Sequence, residues 1–148
     1  MPGKVRIIFL CTGNSCRSQM AEAWTRELKG ETFDPYSAGV EARGIDPFAI
    51  QVMKEVGVDI SGQQSKNVDT LQDIEFDYVV TLCSHAQEVC PFFPARTSVI
   101  HVAFDDPPAL AAQGGTKQED ALKHYRRVRD EIRHFVRGFP ETLHTPPR

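Results

Sequence analysis

Residues 5–18 decide the fold, and they read VRIIFLCTGNSCRS. Val5 to Cys11 is a nearly continuous apolar run with β-branched side chains, a pattern typical of a strand buried on both faces of a parallel sheet. A short loop follows, and from about Arg17 the apolar residues recur at helical spacing. The stretch therefore predicts a strand, a tight loop and the start of a helix.

Three further strands are predicted along the chain. Asp77 to Cys83 and Thr97 to Phe104 are apolar runs like the first one. Thr32 to Tyr36 is a weaker candidate, and Pro35 favours a sheet edge for it because proline cannot donate to the strand ladder.

Helices alternate with these strands. The first is expected from Arg17 to Leu28, and the second from Asp46-Pro47 to just before Gly57. The third contains the apolar stripe from Leu122 to Val136 and ends at Gly138, and Thr116 with Glu119 can form a capping box at its start. The alternation predicts an α/β fold with an open four-stranded parallel sheet flanked by helices. Ligands are expected beyond the carboxyl ends of the strands.

Length and composition indicate one ordinary globular domain. The chain has 148 residues, a net charge of −3 and 41% hydrophobic residues, which gives no bulk attraction to nucleic acid or to an anionic membrane. The longest apolar run is far shorter than the ~20 residues that span a bilayer. We expect a cytoplasmic protein with one domain over residues 1–139, a flexible loop from Ala109 to Gly115 and a flexible tail over residues 140–148.

The loop after the first predicted strand has the layout of an oxyanion cradle. A loop that leads directly into a helix start directs backbone N–H groups and the positive end of the helix dipole at one point. Gly13 and Asn14 tolerate a positive φ, and the planar fork of Arg17 can grip two oxygens of a tetrahedral anion. The predicted oxyanion-binding residues are Thr12, Gly13, Asn14, Ser15, Cys16 and Arg17.

Cys11 is the predicted nucleophile. Its place at the floor of a positive concavity favours the thiolate at neutral pH, and Ser18 can donate a hydrogen bond to that sulfur. The alternative is that Cys11 is merely a buried strand residue, and the Arg-Ser pair six and seven positions later argues against it. For Cys16 the balance is reversed, because the loop needs no second thiol and a small buried hydrophobe suffices.

These residues resemble the loop of the low-molecular-weight tyrosine phosphatases, and the string from Cys11 to Glu22 is similar to that of the thioredoxin-coupled arsenate reductases built on the same fold. The similarity continues through residues 36–39, 81–83, 90–91, 104–107 and 127–131, and so covers nearly the whole chain. The second cysteine pair, Cys83 and Cys90, and the lack of tyrosine after Asp105 are typical of the reductases. The stretch from Pro108 to Gln118 is longer than the family's usual link.

The resemblance implies a reaction in which a cysteine nucleophile attacks arsenate and a disulfide relay follows. Cys11 would attack arsenate, Cys83 would attack the adduct and release arsenite, and Cys90 would then form the Cys83–Cys90 disulfide that thioredoxin reduces. The implied fold places the first and third strands side by side, at a spacing that permits a Cys11–Cys83 disulfide. Without the family, Cys83 and Cys90 could equally be structural thiols. A short helix is predicted between them, over residues 84–89, and must unwind when their disulfide forms.

The leaving hydroxide needs an acid, and Asp105 is the candidate at the end of the fourth strand. A loop-capping aspartate is the alternative for Asp105, and Asp106 is given a supporting role at most. No bound cofactor is implied; electrons come from reduced thioredoxin and indirectly from NADPH. Phosphate and sulfate are expected as competing oxyanions.

Members of the family hold potassium behind the loop through positions that match Asn14, Glu22 and Ser37 together with an aspartate. Here Lys66 matches the aspartate. Its ammonium would take the cation's place beside Glu22 or point to solvent. No other metal site is expected.

Two other functions are compatible with parts of the sequence. A phosphatase would use Cys11, Arg17 and Asp105 but would leave Cys83 and Cys90 without a task. A thiol redox sensor would use the cysteines but not the oxyanion clamp.

Overall fold

A computed structural model of the protein describes residues 3–83, 93–113 and 117–144. In this part of the chain, four strands form one parallel sheet in the order β2-β1-β3-β4. The strands are β1 (Val5–Cys11), β2 (Phe33–Gly39), β3 (Tyr78–Thr81) and β4 (Ser98–His101). The predicted α/β fold with a four-stranded parallel sheet is confirmed, and the strand that contains Pro35 lies at a sheet edge as expected.

The central strand β1 is buried on both faces. Ile7 and Phe9 belong to the core cluster on the helical side of the sheet, whereas Ile8 and Leu10 pack in a second cluster with Phe76. Because successive side chains of a strand point to opposite faces, burial on both sides requires the uninterrupted apolar run seen in the sequence.

Five helices lie in the described ranges. They are α1 (Arg17–Lys29), α2 (Pro47–Glu55), α3 (Pro107–Gln113), α4 (Gln118–Arg137) and α5 (Glu141–His144), with a 3-10 turn at Val68–Leu71. The helix start at Asp46 is as predicted: its side chain accepts the backbone N–H of Phe48 at 2.9 Å, and Pro47 occupies the first helical position. The end of α4 at Gly138 is also as predicted.

Two expectations about loops are corrected. Residues 109–113, expected in a flexible loop, belong to α3, because prolines at the helix start and the good helix formers Ala and Leu outweigh the glycines that follow. The residue that caps α4 is Lys117, without a side-chain hydrogen bond, and Thr116 of the predicted capping box lies outside the described residues. Residues 141–144, expected in a flexible tail, form α5, because Leu143 is buried in the main core.

Some predictions fall outside the described residues. These are the helix over residues 84–89, the position of Cys90, the place of Thr116 in a capping box, and the parts of the predicted loop and tail at residues 114–115 and 145–148. Among the described helices, none is long and apolar enough to cross a bilayer.

Candidate active site

The loop between β1 and α1 is held in shape by the segment that follows β2. The carbonyl groups of Thr12, Gly13 and Ser15 accept hydrogen bonds of 2.9–3.1 Å from the backbone N–H groups of residues 41, 43 and 46. In a trans peptide the carbonyl of one residue and the N–H of the next point in opposite directions. These bonds therefore turn the N–H groups of the residues that follow Thr12, Gly13 and Ser15 away from the segment over residues 41–46. Asn14 adopts φ 48°, which curls the loop so that it can surround an anion.

Cys11 ends β1 at the centre of this loop and is 3% exposed. Its sulfur lies 2.8 Å from the hydroxyl oxygen of Ser18, which in turn accepts the side-chain N–H of Asn14 at 2.8 Å. Because Asn14 already supplies a proton to that oxygen, the hydroxyl hydrogen of Ser18 is available for the sulfur. This is the arrangement expected for a thiolate that is held in place.

Arg17 is 3% exposed, and its guanidinium is fixed against the carboxyl ends of the neighbouring strands. One terminal nitrogen donates to the carbonyl oxygens of Leu82 at 3.2 Å and Phe104 at 3.1 Å. The other lies 3.6 Å from Oδ1 of Asp106. The fork is therefore oriented by the residues that follow β3 and β4, as an oxyanion clamp requires.

The structure separates the two adjacent aspartates. Asp105 is 53% exposed on its side chain and pairs with Arg127 of α4 at 2.9 Å, so it is not brought to the pocket mouth where it was expected. Asp106 is 28% exposed, pairs with Arg17 and lines the pocket. Asp106 directly precedes the first residue of α3, Pro107, and its carbonyl accepts the backbone N–H of Leu110 at 3.1 Å.

The loop opens into a cavity of about 300 Å³. The side chains that matter for its chemistry are Cys11, Cys16, Arg17, Arg43, Asp46 and Asp106. Arg43 and Asp46 were missed at the level of sequence. For Asp46, the sequence signal is the helix cap at Asp46-Pro47, which predicts a helix start and does not by itself indicate a place in the cavity wall.

Cys16 is a second free thiol in the cavity wall and is 2% exposed. Burial raises the pKa of this thiol well above its usual value, and the nearby charge of Asp46 raises it further. A thiol that stays protonated is a poor nucleophile, which agrees with the expected packing role.

Cys83 lies at the same edge of the sheet. Leu10 pairs with Thr81 in register, and the N–H of Leu82 donates to the Leu10 carbonyl at 2.9 Å, so the ends of β1 and β3 are side by side. Cys83 is 3% exposed and is disulfide-bonded in this structure, whereas Cys11 and Cys16 are free. The predicted partner, Cys90, lies outside the described residues.

The site matched to a potassium site is filled by cationic side chains. Ser37 donates to Glu22 at 2.6 Å, Arg26 pairs with the same carboxylate at 2.6 Å, and the ammonium of Lys66 lies 4.0 Å away from it. The carbonyl of Gln64 also accepts from that ammonium at 3.0 Å. Because two cations already surround Glu22, these residues do not fit a potassium ion. Elsewhere in the described ranges, no cluster of three or more His, Cys, Asp or Glu could hold a metal.

Comparison with known proteins agrees with this geometry. The model of the low molecular weight phosphotyrosine protein phosphatase family matches residues 6–146. An arsenate reductase of Halalkalibacterium halodurans is 49% identical over 136 residues, which is 92% of this chain and 95% of that protein, and one of Brevibacillus brevis is 46% identical over 142 residues, 96% and 98% of the two chains.

Among solved structures, an arsenate reductase in a phosphate-binding state superposes with a TM-score of 0.74 at 29% identity and covers 94% of this chain and 95% of the other. The sheet order, the loop from Cys11 to Ser18 and these matches place the chain in the low molecular weight phosphotyrosine protein phosphatase family.

Proposed function

We propose that this protein reduces arsenate to arsenite with electrons from thioredoxin. Relatives with 46–49% identity over nearly the whole chain are arsenate reductases. A buried cysteine beside a fixed guanidinium in a small cavity suits a tetrahedral oxyanion. The observation that carries the proposal is Cys83, a disulfide-bonded cysteine two residues past the end of β3, the strand next to that of Cys11.

The reaction begins with attack of the Cys11 thiolate on arsenic. An S–As bond forms and an As–O bond breaks, and hydroxide is a poor leaving group unless it is protonated. Asp106 is the acid we assign, in place of Asp105, because Asp106 lines the cavity whereas Asp105 is paired with Arg127. The proton of Asp106 leaves with the hydroxide as water.

The second step transfers two electrons to arsenic. The thiolate of Cys83 attacks the sulfur of Cys11; an S–S bond forms, the S–As bond breaks, and its electron pair stays on arsenic, which leaves as arsenite. Cys90 then attacks Cys83, so that Cys11 is freed and a Cys83–Cys90 disulfide remains. Reduced thioredoxin cleaves that disulfide and becomes oxidised. Thioredoxin reductase then reduces it again with NADPH. This scheme needs no bound cofactor. It does need a reducing compartment such as the cytoplasm.

Hydrolysis of phosphate esters is a second, weaker activity that the same site supports. It needs a nucleophile, a clamp and an acid, all of which the loop and Asp106 supply. The family match favours it, but it leaves Cys83 without a task.

The test is turnover of the purified protein with thioredoxin, thioredoxin reductase and NADPH, with arsenate or an aryl phosphate as substrate. We expect arsenate-dependent NADPH oxidation and much slower ester hydrolysis. Rapid ester hydrolysis with no NADPH oxidation would instead identify a phosphatase.

A further inference from the structure

The cavity wall combines two guanidinium groups with two carboxylates. Arg17 and Arg43 attract an anion, whereas Asp46 and Asp106 repel one. Asp106 has a task in the proposed reaction as the acid. Asp46 caps α2 but has no part in the proposed reaction, and a helix cap alone does not require a negative charge in the wall of an anion site.

The carboxylate of Asp46 is held rigidly. Its Oδ2 accepts the hydroxyl of Tyr125 at 2.6 Å and its Oδ1 accepts the N–H of Phe48 at 2.9 Å. Tyr125 is 2% exposed, and its ring packs edge-on against that of Phe48 with 5.5 Å between centroids. Burial and the bond to Asp46 raise the pKa of Tyr125, so its hydroxyl remains a donor.

Asp46 is also tied directly to the oxyanion loop. Its own N–H donates to the carbonyl of Ser15 at 2.9 Å. The charge of its carboxylate acts on Cys16, which is the residue after Ser15 in the loop. A carboxylate offers about four lone-pair sites, of which Tyr125 and Phe48 use two, so Asp46, which lines the cavity, keeps further acceptor capacity.

We infer that Asp46 is a specificity-determining residue that selects oxyanions which carry a proton. The inference rests on the proposed function, in which the cavity binds arsenate. Around neutral pH the dianions of arsenate and phosphate each keep one hydroxyl, whereas sulfate, of equal charge and similar shape, has none. The hydroxyl donates to Asp46; sulfate presents only acceptors to that carboxylate, and the unpaired contact penalises its binding.

The test measures the dissociation constants of inorganic phosphate and sulfate by calorimetry at slightly alkaline pH and fixed ionic strength. Wild type is expected to bind sulfate more weakly than phosphate by about tenfold or more, the ratio that corresponds to one unmade hydrogen bond. In Asp46→Asn, which keeps the shape and provides a donor, the ratio should fall toward one, mainly through tighter sulfate binding. Asp105→Asn is the matched control and should keep the wild-type ratio, because Asp105 faces Arg127.

A second variant covers the case in which Asp46→Asn fails to fold. Tyr125→Phe keeps the packed ring and the carboxylate of Asp46 but removes the hydrogen bond that orients this carboxylate. The ratio of the sulfate and phosphate dissociation constants in this variant should therefore lie between the wild-type value and one. Three results would each overturn the inference. The first is equal affinity of wild type for phosphate and sulfate, and the second is the wild-type ratio of dissociation constants in the folded variants of Asp46 and Tyr125. The third is a fall of this ratio in Asp106→Asn as large as that in Asp46→Asn. Because the readout is anion binding, failure of arsenate turnover would refute the proposed function and leave this result standing.

Discussion

At the scale of single residues, the site depends on which of two neighbouring aspartates faces the cavity. The sequence predicts Asp105 as the acid, since nothing in the pair Asp105-Asp106 distinguishes the directions of the two side chains. The choice is made by contacts from elsewhere in the chain: Arg127 on α4 binds Asp105, and Arg17 on α1 binds Asp106. Such long-range pairing cannot be inferred from local spacing.

A first prediction separates these aspartates by activity. Asp106→Asn should lower kcat by roughly 10²–10⁴, the usual contribution of a general acid, because the leaving hydroxide loses its proton source. Asp105→Asn should stay within a few-fold of wild type, since it loses only an exposed ion pair. Steady-state kinetics with arsenate check both variants, and a larger loss in Asp105→Asn would reverse the assignment.

A second prediction concerns Lys66. Its ammonium and the guanidinium of Arg26 already compensate Glu22, so wild-type activity should be nearly the same in potassium and sodium salts at matched ionic strength. Lys66→Met keeps the apolar stem without the charge, and this variant should gain a dependence on potassium. Several-fold stimulation of wild type by potassium would show that the ammonium does not replace the cation.

At the scale of elements, the end of β2 shapes the oxyanion loop. A Cβ on Gly39 would lie 2.6 Å from the carbonyl oxygen of Thr12 and 2.8 Å from both the backbone nitrogen of Asn14 and the carbonyl oxygen of Cys11. All three are backbone atoms, so the loop itself would have to move. A glycine is required here by close approach of two chain segments.

Gly39→Ala is therefore predicted to cost about 1–3 kcal/mol of unfolding free energy and to weaken phosphate binding. Gly62→Ala is the matched control, because a Cβ at Gly62 meets nothing within 4 Å. Urea unfolding and phosphate titration of the two variants decide the matter. Equal behaviour of both would mean that the loop tolerates displacement.

The contact between α2 and α4 gives a pH-dependent prediction. Hydrogen bonds from Arg126, with those from Arg129, hold the pKa of Glu55 below its ordinary value. The folded pKa is lower than the unfolded one, so this stabilisation is present above the unfolded value, near 4.3, and is lost as the pH falls through the folded value. Glu55→Gln should lower the unfolding free energy at pH 7 by up to about 1 kcal/mol.

Urea unfolding of Glu55→Gln and wild type at neutral and acidic pH measures this effect. The difference between the two proteins should shrink as the carboxyl of wild type becomes protonated. A difference that persists unchanged in acid would assign the loss to packing instead.

The elements themselves were predictable to different degrees. β1 and the bounds of α1 and α2 follow from apolar periodicity and from a recognisable cap, which are local signals. By contrast, α3 was missed because a pair of glycines outweighed the preceding alanines in the local pattern. The helix α5 was missed because its stability comes from burial of Leu143 against the core, which local sequence does not reveal.

At the scale of the whole molecule, the fold brings chemistry from distant parts of the chain to one sheet edge. The strand order β2-β1-β3-β4 places the ends of β1 and β3 together, so that Cys11 and Cys83 follow adjacent strands. Alternating strands and helices indicate a parallel sheet, but they do not fix its order. The adjacency of the first and third strands was available only through the resemblance to a family.

The central claim is that the Cys83 thiolate attacks the sulfur of the Cys11–arsenic adduct, so that two thiols become a disulfide and arsenic receives two electrons. Cys83→Ser tests this claim most directly. One preparation of this variant is assayed for thioredoxin-coupled, arsenate-dependent NADPH oxidation and for hydrolysis of an aryl phosphate. We predict that the first activity falls to background while the second survives, because ester hydrolysis needs only the loop of Cys11 and its acid. Full arsenate turnover by Cys83→Ser would contradict the account.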